Sequence, residues 1–170
     1  NSGLSTPLTY EEKTITGNYG SVKIFQDGKY DYVSNAAHDV LAEGAKYSEV
    51  FAFTALDNTV WSLTVNITGS NDIPAISKLH YVLDATLNSN LDRASGILRI
   101  ADKDAGQSYF IEQVETDNRY GLFSLTSNGT WNYTAKASLE TLLVGESVSD
   151  FFTITAADGS QASVSFTIRG

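Results

Sequence analysis

The sequence predicts an all-β chain of two tandem sandwich modules, the first lacking its opening strands. Three observations predict it. Thr, Val, Ile, Tyr and Phe are plentiful, and apolar residues recur at every second position between short turn signals. The turn signals are regular, with Asp27-Gly28, Asp57-Asn58, Asn128-Gly129 and Asp158-Gly159 separating paired runs. The chain also matches itself at an offset of 101, without a gap, from residue 19 to residue 69.

That offset pairs Tyr19-Gly20 with Tyr120-Gly121, Gly28 with Gly129, Tyr32 with Tyr133, Phe51 with Phe152, Asp57 with Asp158 and Gly69 with Gly170. About 15 of the 51 aligned positions are identical. A repeat this long is a whole domain, too long for one solenoid unit of roughly 20 to 50 residues. The expected organisation is a first repeat over 1–69, a linker over 70–75 and a complete repeat over 76–170. The first copy has no counterpart of residues 71–101, which should leave an unpaired sheet edge and an open core; either the sequence begins inside a repeat, or another segment or chain fills the gap.

Within each copy the elements follow in order. "YGSVKIFQDGKYDY" and "YGLFSLTSNGTWNY" read as hairpins, each closed by a two-residue turn signal. "NAAHDVLAEG" and "KASLETLLVGE" read as a crossover with a short helical turn. "SEVFAFTALDNTVWSLTVNITG" and "SDFFTITAADGSQASVSFTIRG" read as the terminal hairpin. In "VWSLTVNITG" the period of two puts Trp61, Leu63, Val65 and Ile67 on one face, turned inward. "SGILRIA" reads as the later of two opening strands of the second copy. About seven short strands per 100 residues is the pattern of an immunoglobulin-like sandwich.

Composition narrows the function classes. A net charge of −9 and a pI near 4.5 disfavour nucleic acid and favour cations. The chain has no Cys, which removes thiol chemistry and Cys-ligated zinc, and His38 and His80 are too few for a His-rich metal site. No apolar run approaches the ~20 residues of a membrane-spanning helix, so no membrane insertion is expected. A hydrolase needs a placed acid and base, but Glu11 and Glu12 are adjacent and on a strand would point to opposite faces. His38 has no evident Ser partner. The expectation is a protein that is not an enzyme.

The YG hairpin start, the aromatic pair Tyr30 and Tyr32, the "LAEG" turn, the "FAFTALD" strand and the closing "ITGSNDIP" together resemble the VCBS repeat. That is a cadherin-like bacterial module found in tandem within large surface adhesins and RTX-type exoproteins. The second copy carries the same marks and adds "SGILRIADKDAG", similar to the family's first strand pair with its D-x-D-x-G turn. Asn58 stands where the second copy keeps a turn glycine, and "LLVGE" moves the acidic residue to the other side of the Gly.

The resemblance implies extender repeats of an extracellular or cell-surface bacterial adhesin, partnered by neighbouring repeats, with Ca²⁺ at the interdomain junction. Its candidate ligands are Asp102, Asp104, Asp72, Asn71, Asp158 and Glu43, with Asp84 a further carboxylate, since Ca²⁺ takes six to eight oxygens. Each has an ordinary reading too: Asp102 and Asp104 as a solvated turn, Asn71 and Asp72 as a linker turn, Asp158 and Asp57 as turn formers. The alternative function is a ligand-binding adhesion module. It would take a host or biofilm glycan on exposed rings such as Tyr10, Tyr47 or Tyr81, or a protein by strand addition at the open edge, including self-association. Trp131, Tyr133, Tyr30 and Tyr32 are expected in the core.

Overall fold

The computed structural model describes residues 9–84, 93–136, 139 and 142–170. The chain forms two compact units, Asn1–Asn71 and Asp72–Gly170. Unit 1 contains β1 (Lys13–Thr16), β2 (Gly20–Ile24), β3 (Tyr30–Ser34), a 3-10 turn (Ala36–Val40), β4 (Lys46–Thr54) and β5 (Val60–Thr68). Unit 2 contains β6 (Ala75–Ser77), β7 (His80–Asp84), β8 (Arg93–Ile97), β9 (Arg99–Ala101), β10 (Gln113–Asp117), β11 (Gly121–Leu125), β12 (Thr130–Ala135), β13 (Ser147–Thr155) and β14 (Gln161–Arg169). The 3-10 turn is the predicted crossover, capped by the Asn35 side chain, which accepts from Ala37 N at 2.8 Å.

The four hairpin turns share one construction. The third loop residue is left-handed in each: Gly28, Asn58, Gly129 and Gly159, with φ of 81°, 68°, 87° and 88°. Its N–H donates to a carbonyl three residues back, as Gly159 N does to Ala156 O at 3.0 Å. The Asp or Asn before it accepts a backbone N–H two residues on, as Asp158 Oδ1 does from Ser160 at 2.9 Å. These are three-residue loops with a bulge, one residue longer than the two-residue reading of the sequence. The same bond from Thr59 holds the Asp57 carboxyl below its ordinary range. Nothing lies within 4 Å of a Cβ added at Gly159, so Gly159→Ala meets only the backbone cost of a left-handed conformation. We expect a loss of about 1 kcal/mol, read from the denaturation midpoint. An unchanged midpoint would contradict this account of the turn.

Unit 2 is a two-layer sandwich. One sheet has the order β10-β11-β12-β8, the other β13-β14-β7, with a small β6-β9 pair besides. All pairings are antiparallel except β7 with β14. The inward residues of β11 and β12, Phe123, Leu125, Trp131 and Tyr133, meet Phe152, Ile154, Val164, Phe166 and Ile168 of β13 and β14. "SGILRIA" is not the single strand the sequence suggests. It breaks at Leu98, which is buried and donates its N–H to Gly129 O at 2.8 Å, so β8 pairs with β12 while β9 pairs with β6. The adjacent apolar residues Ile97 and Leu98 break the period of two, and Ile97 is exposed. In β10 a bulge at Glu115 (φ 45°) inserts one residue, so the register of β10 on β11 departs there from that of β1 on β2.

Unit 1 has a three-stranded sheet, β1-β2-β3, and a two-stranded sheet, β4-β5. Its fully buried core is small: Val22, Ile24 and Phe51, with Tyr10, Ile15, Tyr32, Phe53, Leu63 and Val65 partly buried around them. Two expectations fail. Trp61 is 44% exposed and Tyr30 is 52% exposed, whereas Trp131, the counterpart of Tyr30, is 2% exposed. In unit 2 the inner faces are closed by β7 and β8, and no described strand occupies those places in unit 1. Tyr81, considered above as a surface ring, instead packs on Trp131 and Phe166 with centroids 4.5 and 5.6 Å away.

The paired motifs of the repeat have a structural cause. A Cβ on Gly121 would lie 2.3 Å from the Tyr133 ring, and a Cβ on Gly20 would lie 2.4 Å from the Tyr32 ring, so each "YG" glycine makes room for a tyrosine. The Tyr133 hydroxyl donates to Asp150 Oδ2 at 2.9 Å, and Asp150 also accepts the Tyr120 N–H. Burial first, then the bond and charge of Asp150, push Tyr133 above its ordinary value of 10. Glu49 repeats the arrangement in unit 1 with Tyr19 N at 3.0 Å and the Tyr32 hydroxyl at 3.4 Å.

Candidate functional site

The loop after β9, residues 102–108, folds back on itself through its own short side chains. Asp102 Oδ1 accepts the Asp104 N–H at 2.9 Å, the local turn that Asp favours. Ser108 Oγ accepts the Asp102 N–H at 2.9 Å and donates to Asp102 O at 3.3 Å, closing the loop. Gly106, at φ 80°, reverses the chain, and Gln107 N donates to Asp104 O at 3.2 Å. Phe110, buried and donating to Ser127 O at 3.0 Å, anchors the far end to the sandwich.

This folding buries acceptors without donors. Asp104 is 1% exposed; its Oδ2 accepts the Asp72 N–H at 2.9 Å, and its Oδ1 is buried with no hydrogen-bond partner. Asp102 Oδ2 and Gln107 Oε1 are in the same condition. A buried acceptor left unpaired costs about 1–3 kcal/mol, and more when it is charged. Two carboxylates and an amide carbonyl in one short loop form a hard-oxygen set suited to a cation such as Ca²⁺. Among the described residues no three His, Cys, Asp or Glu side chains cluster.

Of the predicted site residues, the structure brings Asp102, Asp104 and Asp72 together. Asp72 contributes its backbone N–H, and its carboxylate lies 3.9 Å from Lys103 Nζ. Asp158 sits in the β13-β14 turn with Ser160 N and Oγ on its two oxygens, at 2.9 and 2.5 Å. That turn adjoins the loop's exit, since Ala157 N donates to Tyr109 O at 3.0 Å. Glu43 is exposed in the turn before β4, and Asn71 is the last residue of unit 1. The side chain of Asp84 lies outside the described residues. Gln107 was not anticipated; the available signal was its place in "DKDAGQ", three residues after Asp104.

A family model described as a bacterial Ig domain matches residues 71–169. Among curated proteins, none matches the chain. Among solved structures, "PcdhgB3 EC1-4" is 12% identical, with a TM-score of 0.47, over 95% of this chain and 41% of that one. The structure of mouse clustered PcdhgC3 EC1-3 is 12% identical, with a TM-score of 0.46, over 87% of this chain and 50% of that one. The chain thus spans half the length of these structures or less.

Proposed function

We propose a function from one premise: the chain belongs to the bacterial Ig domain family. Its repeats act as non-catalytic extenders of an extracellular bacterial adhesin, of the kind the VCBS likeness implies, and the 102–108 loop of unit 2 binds Ca²⁺. The observation that carries this reading is the set of buried, unpartnered oxygens on Asp102, Asp104 and Gln107. Asp72 enters through its N–H bond to Asp104, and Asp158 is a further carboxylate at the same end of the unit. Bound Ca²⁺ would supply positive charge to this set and hold the first residues of unit 2 against the sandwich.

The strand order suits load bearing. β7, close to the beginning of unit 2, runs parallel to β14, its last strand, over the pairs from Ser165-His80 to Arg169-Asp84. Tension applied to the two ends of the unit then shears these bonds together instead of opening them one at a time.

A ligand that binds only the folded state stabilises it by RT ln(1 + [L]/Kd). At about 5 mM Ca²⁺ and a Kd of about 0.1–1 mM, typical of extracellular modules, this is about 1–2 kcal/mol. Calorimetric melting in Ca²⁺ against EDTA should show unit 2 rising by several degrees. Asp104→Asn keeps an acceptor for Asp72 N but removes the charge, and the Ca²⁺-dependent rise should disappear without loss of fold in EDTA. Equal melting temperatures for the unaltered chain in both buffers would refute the calcium reading.

A further inference from the structure

We propose that Asn128 is a modification site, deamidated through a succinimide with Gly129 when the β11-β12 turn opens and held intact while that turn is closed. The proposal is independent of calcium. Of the 11 Asn residues in the chain, only Asn128 is followed by Gly, which has no Cβ to hinder attack of its backbone nitrogen on the preceding side chain. Asn128 is exposed, so water reaches its amide. In the reaction Gly129 N gives up its proton and bonds to Asn128 Cγ, the bond from Cγ to the side-chain nitrogen breaks, and ammonia leaves carrying a proton in exchange. Water then opens the ring. Addition at Cγ leaves aspartate at position 128, and addition at the main-chain carbonyl leaves isoaspartate. Water is consumed and ammonia released, with no oxidation or reduction.

The closed turn blocks the first step. Gly129 is buried at φ 87°, and its N–H donates to Thr126 O at 2.9 Å. A Cβ on Gly129 would lie 2.1 Å from Leu98 O and 3.2 Å from the Phe110 ring, so this peptide has no room to swing toward Cγ. Leu98 N, donating to Gly129 O at 2.8 Å, and Phe110 N, donating to Ser127 O at 3.0 Å, hold it there. The Asn128 carboxamide is held as well, its Oδ1 accepting from Thr130 N at 3.0 Å and from Thr126 Oγ1 at 2.6 Å. Attack therefore waits for local opening. The internal repeat identifies the product that fits. Asp27 stands at the matching position of unit 1 and accepts Lys29 N at 3.1 Å, as Asn128 accepts Thr130 N. Aspartate thus keeps the turn and adds a negative charge next to Ser127, whose N–H already donates to Glu112 at 3.3 Å. Isoaspartate lengthens the main chain just before Gly129 and breaks its fit against Leu98.

Incubating the full chain at mildly alkaline pH, folded and in urea, and following the tryptic peptide 120–136 by mass spectrometry tests this. Fragmentation separates Asn128 from Asn132 in that peptide, and chromatography separates aspartate from isoaspartate. In urea Asn128 should be converted ahead of every other Asn, to both products. In the folded chain its conversion should be slower by about tenfold or more. Leu98→Ala empties a buried site next to the turn, and should speed conversion in the folded chain by about threefold or more with no change in urea. Asn128→Asp should fold and melt within about 2–4 °C of the unaltered chain. Equal rates for the unaltered chain folded and in urea would overturn the proposal, whether or not the Leu98 variant folds. So would an Asn128 that stays intact in urea while other Asn residues are converted. A melting temperature of Asn128→Asp lower by more than about 10 °C would overturn the assignment of aspartate as the product that fits.

Discussion

Phe166→Ala is expected to lower the unfolding free energy of unit 2 by about 3–5 kcal/mol, the cost of emptying a fully buried aromatic site. Phe166 has no exposed surface and is the hub of the aromatic core. Its ring centroid lies 4.7 Å from Tyr133, 5.0 Å from Trp131, 5.6 Å from Tyr81 and from Phe123, and 6.0 Å from Phe152. Its counterpart by the internal repeat is Val65, which is only partly buried. Val65→Ala should cost about 1 kcal/mol, since less surface is removed from an already open face. Each unit contains one Trp, so denaturation followed by Trp131 emission in a Trp61→Phe background reports unit 2, and the converse background reports unit 1. Equal losses at the two positions would mean that the cores are equally complete, contrary to the burial described above.

Asp150→Ala is expected to cost unit 2 about 3–4 kcal/mol, because it leaves the Tyr133 hydroxyl and the Tyr120 N–H without their acceptor inside the sandwich. Glu49→Ala in unit 1 should cost about 1 kcal/mol, as its partners there are closer to water. The same site gives an alkaline signature. Tyr133 is held above its ordinary value of 10, so the folded state keeps a proton that the unfolded chain releases. The associated stability is therefore intact below about pH 10 and falls as pH rises beyond it, by up to about 1.4 kcal/mol per pH unit. Tyr133→Phe should remove this slope. Persistence of the slope in that variant would assign it to another group.

Much of the fold was legible because it rests on short-range rules. The period of two in "SVSFTIRG" places Val164, Phe166 and Ile168 inward, and all three are buried. The Asp-Gly and Asn-Gly pairs locate the turns, although their third residue and its left-handed φ depend on how the strands meet. The "YG" glycines and the tyrosine within β3 and β12 were visible as recurring marks. That they exist to seat a tyrosine over a glycine and against Glu49 or Asp150 was not, because the acidic partner lies about 17 residues downstream. In the candidate site Asp102 and Asp104 stood out by spacing. Gln107 did not, because an amide oxygen becomes a candidate ligand only once it is buried without a donor.

Strand content, turn positions and the presence of two copies of one module follow from the residues alone, since each is set by neighbours within a few positions or by direct self-match. Burial does not follow. Tyr30 and Trp131, or Val65 and Phe166, occupy the same place in the pattern, yet one of each pair faces water and the other a closed core. The difference lies in β7 and β8, which come from residues without a counterpart in unit 1. They close the sheets of unit 2 through pairings that only the folded chain brings together.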